Sequence, residues 1–341
     1  MDYCIDTKTG LNIMKTIFKG MISLTFLVMC SLGWAADGSR GPTAPNMPPS
    51  GQMPPGQVGP TGQVMPQTLD VPKNIQLDKD IVFATINGQE LKLDIAYPKD
   101  KKGKTPAIVY IHGGGFEGGA KPTEQTVSFA KNGFVGIAIE YRLSSVAKFP
   151  AAIHDCKTAI RWTRANAKKY GIDPDKIGVI GESAGGYLVA MMGTSGGNAY
   201  LEGDGAYREY DSSVQAVVDL FGPIDFAVMK DASTGPVAKF LGKTAQEAPE
   251  LAKKTNPITY VDAKDAPTLM IHGEVDNLVP IQQSTLLNDA LTKAGVKTKL
   301  VIVKNAGHGF SASPQDAVIN PTLEEIEKLE IQWFKEIFGV K

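Results

Sequence analysis

VIGESAGGYLVAMM, residues 179–192, sets a serine between two glycines where a β-type apolar run gives way to a helix-type one. Ahead of it, KIGVI (176–180) reads as a buried strand, and behind it YLVAMM reads as a buried helix. A serine fits so sharp a strand-to-helix turn only if the residues two before and two after it leave room, as Gly181 and Gly185 do. A helix beginning at Ala184 aims its N-terminal amides at the same spot, where a developing negative charge is stabilised. Gly181-Glu182-Ser183-Ala184-Gly185 therefore matches the nucleophile elbow G-x-S-x-G, with Glu182 a plain elbow side chain. Alone the pattern is weak, arising by chance in roughly one chain in ten of this length, and a glycine-rich packing turn would also fit it. Its position between strand and helix gives it weight.

Working outward, short apolar runs alternate with helix-like segments. The runs are AIVYI (107–111), FVGIAIEY (134–141), KIGVI, VQAVVDLF (214–221), PTLMIHG (267–273) and KLVIV (299–303). Such alternation predicts an α/β fold, a mostly parallel sheet with helices on both faces. An Asn87-Gly88 turn predicts a hairpin ahead of them, and Leu91, Leu93, Ile95 and Tyr97 alternate with polar residues as in a half-buried strand. FPAAIHDCKTAIRWTRANAKKYG reads as a helix stopped by Gly171. In the last helix, Leu323, Ile326, Leu329, Trp333 and Ile337 form the expected buried stripe.

A serine hydroxyl needs a base to take its proton and an acid to orient that base. Downstream, MIHGEVDNLVP ends one strand with Asp276 and IVKNAGHGF ends the next with His308. Ser183, Asp276, His308 is the chain order of the nucleophile-elbow enzymes. Of four histidines, His154 lies within a helix, His272 on the strand ahead of Asp276, and His112 in a glycine loop, which leaves His308 as the base. Asp276 could instead cap a helix, with Glu274 and Asp265 as reserve choices for the acid. Upstream, IHGGGF places His112 and three glycines directly after AIVYI, and an HGGG loop supplies backbone N–H donors to an oxyanion hole. His112 reads as a loop-orienting residue. A phosphate loop is disfavoured, because neither a Gly-Lys-Ser/Thr nor a G-x-G-x-x-G spacing follows.

The composition allows this chemistry and excludes others. The 341 residues carry a formal net charge of −1, without the basic footprint of a nucleic-acid binder, so a small neutral substrate is the default. MKTIFKGMISLTFLVMCSLGWAA has lysines, then an apolar run shorter than the ~20 residues of a membrane span, then small residues, and Met14 offers an alternative start. Residues 1–36 are thus expected to be a cleaved signal peptide, and the protein to be exported, periplasmic or extracellular. Met29 before Cys30 weakens a lipoprotein reading. Residues 37–70 hold 8 prolines and 6 glycines, the composition of a spacer too polar to pack, extending to about residue 74. Cys156 is the one cysteine beyond the leader, so no disulfide or cysteine metal cluster is expected, and its apolar helical stripe with Ile153 and Ile160 makes it a structural thiol.

HGGGF, YRL (141–143), FPAAIHDCKTAIRW, YGIDPDKIGVIGESAGG and VQAVVDLFGPIDF together resemble the α/β-hydrolase esterases related to hormone-sensitive lipase. The similarity runs from about residue 75 to 340 and is strongest to the branch of acetylxylan and feruloyl esterases. It implies an α/β-hydrolase catalytic domain over 75–341, with a small cap at about 224–260. Ser183 would be the nucleophile, His308 the base and Asp276 its orienter, with the Gly113, Gly114 and Ala184 amides as oxyanion hole. Phe116 stands where many relatives have tryptophan. Phe116, Tyr187, Ile224 and Val279 are the candidate pocket walls, with a core role open for Tyr187 and Ile224. The resemblance implies a serine carboxylesterase acting on short-chain acyl or feruloyl esters, carried by plant cell-wall polysaccharide or a small molecule, with no metal or organic cofactor. A serine peptidase of the same fold is the alternative, although residues 37–100 cannot supply its usual propeller domain. A lipase-like esterase for medium chains and a non-catalytic binding domain are further alternatives, the last disfavoured because no triad residue is missing.

Overall fold

The computed structural model describes residues 69–100, 103–229 and 235–340. The expected leader and all but residues 69–74 of the expected spacer lie outside these, as do residues 230–234 of the expected cap. None of the described helices is long and apolar enough to cross a membrane.

Among the described residues, eight strands form one sheet: β1 (Ile75–Ile86), β2 (Gln89–Pro98), β3 (Thr105–Ile111), β4 (Val135–Ile139), β5 (Ile172–Glu182), β6 (Ala216–Leu220), β7 (Thr268–Gly273) and β8 (Thr298–Val303). Their spatial order is β1-β2-β4-β3-β5-β6-β7-β8. β2 runs antiparallel to both neighbours, and every later pair is parallel. The β1–β2 hairpin turns at Asn87 (φ 51°) and Gly88 (φ 82°), two left-handed residues whose twist matches that of the strands they join.

The helices divide between the two faces. One face carries α1 (Thr123–Lys131) and α9 (Leu323–Phe338), whose Phe129, Trp333, Phe334 and Phe338 pack on Ile108, Ile180, Val218 and Leu269. The other carries α2 (Ala151–Ala165), the short α3 (Ala167–Tyr170), α4 (Ala184–Thr194), α5 (Ala199–Glu202), α6 (Pro236–Leu241), α7 (Pro249–Lys254) and α8 (Gln282–Lys293). The predicted long helix is broken at Asn166, and Gly171 ends it in the left-handed conformation (φ 65°). Cys156 is fully buried among Ile153, Ala159 and Ile160, and burial pushes its thiol well above the ordinary range.

Two packing expectations are corrected. From Leu93 to Ala96, β2 is buried on both faces rather than one, because α1 covers the side where polar residues were expected to meet water. Asp94 there is completely buried, accepting hydrogen bonds from the Asp80 amide (2.9 Å) and the Thr123 hydroxyl (2.5 Å), with the Lys121 ammonium at 3.3 Å. On α9 the buried face is Ile326, Glu330, Trp333, Phe334 and Phe338, whereas Leu323 is 57% exposed and Leu329 and Ile337 only half-buried. The aromatic rings set this rotation. Phe334 presses so closely on β5 that a Cβ at Gly178 would lie 2.5 Å from its ring.

Rotating α9 this way drives Glu330 into the core. Burial first, then the Glu327 and Glu182 carboxylates, raise its carboxyl to about 8. The folded chain therefore holds a proton that the unfolded chain releases near 4.5, and stability falls as pH rises from there to about 8. The slope is roughly 1.4 kcal/mol for each pH unit crossed. Glu330→Gln should abolish this slope. Thermal melts between pH 5 and 8 are expected to converge at the acid end and to favour the variant increasingly toward pH 8.

Candidate active site

The parallel strands end in register. Ile111 of β3 lies beside Gly181 of β5, Gly181 beside Asp219 of β6, and Gly273 of β7 beside Val303 of β8. The glycine loop, the elbow and the loops bearing Asp276 and His308 all leave this carboxyl edge, where open α/β sheets bind ligands.

At the elbow, Ser183 has φ 52° and ψ −116°, a strained conformation for a residue with a side chain. It is held by its amide, which donates to the Leu220 carbonyl (2.9 Å), and by its carbonyl, which accepts from the Tyr187 amide (3.0 Å). The flanking glycines are required by contact with backbone. A Cβ at Gly185 would lie 2.0 Å from the Ile111 oxygen, and one at Gly181 would lie 2.4 Å from the Gly185 oxygen. Neither neighbour can swing aside as a side chain could. Gly185→Ala is expected to cost roughly 3 kcal/mol or more, read as a lowered urea midpoint or as insoluble protein.

Ser183 Oγ lies 3.0 Å from His308 Nε2, and His308 Nδ1 lies 2.7 Å from Asp276 Oδ2. Because a carboxylate only accepts, Nδ1 carries the proton and Nε2 is left free to accept from the serine. The His308 ring packs edge-on against Phe221 (centroids 4.8 Å apart) and its side chain is 24% exposed, whereas the Asp276 side chain is sealed from solvent. Burial works to raise the Asp276 carboxyl, but the nearby His272 ring N–H and hydrogen bonds from His308 and the Val279 amide outweigh it and hold the group well below the usual carboxylate range. Asp276 thus stays anionic beside the imidazole. The reserve acids stand elsewhere: Glu274 pairs with Lys304 at 2.6 Å, and Asp265 accepts from the Asp262 amide at 2.8 Å.

Gly113 packs against the elbow, so that a Cβ there would lie 3.3 Å from the Ser183 Cβ. Gly114 is left-handed (φ 105°), and its carbonyl accepts from the Glu117 and Gly118 amides. Among the described residues, neither the Gly113 nor the Gly114 amide donates a hydrogen bond. Ala184 opens α4, where first-turn amides have no partner within the helix. His112 braces this loop. Its Nδ1 donates to the Gly113 carbonyl (2.8 Å), its ring stacks on Tyr141 (4.4 Å), and the Tyr141 hydroxyl donates to the His112 carbonyl (3.0 Å). Burial lowers the His112 imidazole, which favours the neutral form.

The four candidate wall residues are not brought together. Phe116 stacks on Phe240 of α6 (3.9 Å) and meets Tyr187 edge-on (5.5 Å). Tyr187 is fully buried, with its hydroxyl donating to the Thr255 carbonyl. Ile224 is fully buried in a separate cluster with Met270, Leu287 and Leu291. All four side chains are buried, Phe116 and Val279 as well as Tyr187 and Ile224, so none presents a surface to a substrate in this conformation, and all four are corrected from pocket wall to core. Of the four, Val279 is the one bonded to Asp276, its amide donating to Asp276 Oδ1 (2.9 Å). Sequence reasoning missed Phe221, Tyr141 and the surroundings of His272. Only the position of His272 four residues ahead of Asp276 hinted at its part.

Comparison with known proteins agrees with this architecture. The family model described as BD-FAE matches residues 93–291. Esterase LipC of Mycobacterium tuberculosis is 30% identical over 264 residues, covering 72% of this chain and 64% of its own. The chain spans 64% of the length of LipC, and 46% and 51% of two further curated relatives of the same organism. A solved truncated form of a carbohydrate esterase from gut microbiota superposes with TM-score 0.66 at 33% identity, covering 77% of this chain and 96% of that one. A thermophilic esterase of Thermogutta terrifontis superposes with TM-score 0.63 at 28% identity, covering 78% of this chain and 93% of that one.

Proposed function

The chain belongs to the BD-FAE family and has the α/β-hydrolase fold, and from that premise we propose that it is a serine carboxylesterase. The observation that carries this reading is the unbroken path from Ser183 Oγ through His308 to Asp276 Oδ2, with links of 3.0 and 2.7 Å. Ser183 Oγ attacks the ester carbonyl carbon as His308 Nε2 takes the hydroxyl proton. The carbonyl oxygen becomes an oxyanion, received by the Gly113, Gly114 and Ala184 amides. Collapse breaks the ester C–O bond, and the alcohol leaves with the proton from His308. Water then repeats the sequence on the acyl-enzyme and releases the acid. Asp276 keeps its negative charge throughout and stabilises the imidazolium.

The substrate class we propose is short-chain acyl or feruloyl esters on plant cell-wall polysaccharide. The likeness to a carbohydrate esterase supports the carrier. Residues 1–36 fit an export leader for such a role, and the mass of the secreted chain's N-terminus tests that part of the reading. Activity is tested with p-nitrophenyl acetate, p-nitrophenyl octanoate, methyl ferulate, acetylated xylan and an aminoacyl-anilide, with Ser183→Ala as control. Turnover of acetate or ferulate esters above the rest is expected. Preference for the anilide would replace the esterase by a peptidase, and dominant octanoate turnover would make it lipase-like.

A further inference from the structure

His272 and Ser284 take no part in the proton transfers above, yet both are completely buried directly behind the triad carboxylate. His272 Nε2 lies 2.7 Å from the Val279 carbonyl oxygen and 3.5 Å from Asp276 Oδ2. A carbonyl only accepts, so Nε2 carries a proton. His272 Nδ1 lies 2.7 Å from Ser284 Oγ on α8 and, in the neutral ring, accepts the serine proton. The Val279 carbonyl thus selects the tautomer that points an N–H at the Asp276 loop, and Ser284 holds the ring from its other nitrogen.

We propose that His272 is a positioning residue, a buried imidazole locked by Ser284 that grips the Asp276–Val279 turn and shares its N–H with the triad carboxylate. This rests on the reading of Ser183, His308 and Asp276 as the catalytic triad. The carboxylate is held from two sides: Oδ1 accepts the Leu278 and Val279 amides at 2.9 Å each, and Oδ2 accepts His308 with His272 behind it. With the Asp276 side chain wholly buried, no water replaces a donor that is removed. The turn can then shift, and a displacement of an ångström at a catalytic group costs about 10²-fold in rate. Fewer donors to the carboxylate also raise the proton affinity of the Asp276–His308 pair. Among the described residues, Asp219 on β6 also faces His272, and burial raises it to about 6, so Asp219→Asn belongs in the comparison as a background.

The test is kcat, KM and the pH profile of kcat/KM from pH 5 to 9 on p-nitrophenyl acetate, with thermal melts. The proteins are wild type, His272→Leu, His272→Gln and Ser284→Ala, each with and without Asp219→Asn. His272→Leu is expected to lose about 10²-fold in kcat with KM nearly unchanged, and its acid limb moves to higher pH. His272→Gln, which keeps an N–H donor, recovers most of the loss, and Ser284→Ala shows a smaller loss with the same shift. A merely structural role would lower the melting temperature without moving the acid limb. A folded His272→Leu with wild-type kcat and acid limb overturns the inference, and if that variant fails to fold, an unchanged Ser284→Ala does so alone. Full activity in Ser183→Ala would instead overturn the triad itself.

Discussion

Ser183→Ala is expected to lose roughly 10³-fold or more in kcat while melting within a few degrees of wild type. Removing Oγ takes away the attacking atom but little packing, because the strained turn is held by the Ser183 backbone amide and carbonyl rather than by the side chain. Alanine meets the same left-handed φ of 52° with a Cβ, as serine does, so the elbow keeps its shape. The amides of Gly113, Gly114 and Ala184 remain, and with them a residual rate above that of water. A fluorophosphonate that labels the wild type once and the variant not at all would place the nucleophile. An alanine variant that keeps more than a tenth of the activity would remove Ser183 from the mechanism.

Asp276→Asn is expected to cost about 10⁴-fold in kcat, and the surroundings of the carboxylate say why. Oδ1 faces two backbone donors, the Leu278 and Val279 amides, which an asparagine can satisfy only with its carbonyl oxygen. Its NH₂ is then forced toward His308 Nδ1, and also toward the N–H of His272. His308 must switch to the tautomer that accepts at Nδ1, which leaves an N–H at Nε2 facing Ser183 and no lone pair to take the hydroxyl proton. Loss of kcat with an unchanged KM for p-nitrophenyl acetate is the expected signature. An asparagine variant within tenfold of wild type would mean that another acid orients His308.

Both expectations start from residues that were legible before any coordinates. The strand-turn-helix pattern around Ser183, the glycine loop and the chain order Ser183, Asp276, His308 are local signals, because each depends on a few neighbouring residues and on the strand ahead of them. The Asn87-Gly88 hairpin and the buried Cys156 were legible for the same reason. Less legible were places where two distant segments meet. The face that α9 buries depends on where Phe334 and Phe338 find room over Gly178, which no periodicity in residues 323–338 encodes. Asp94 was expected to face solvent and is instead covered by α1, which comes 29 residues later in the chain.

The amino-acid order by itself singled out the residues proposed for the chemistry: one hydroxyl on a glycine-flanked turn, one histidine after a late strand and one aspartate before it. A strand, a turn and a helix are built from contacts within a few residues, so composition and period reveal them. Tertiary packing alone decided how the acid is held, with Ser284, His272 and the Val279 carbonyl behind Asp276, and which aromatic side chains fill the core instead of facing a substrate. Those outcomes follow from volumes and hydrogen-bond directions that exist only once β7, α8 and the elbow have been brought side by side.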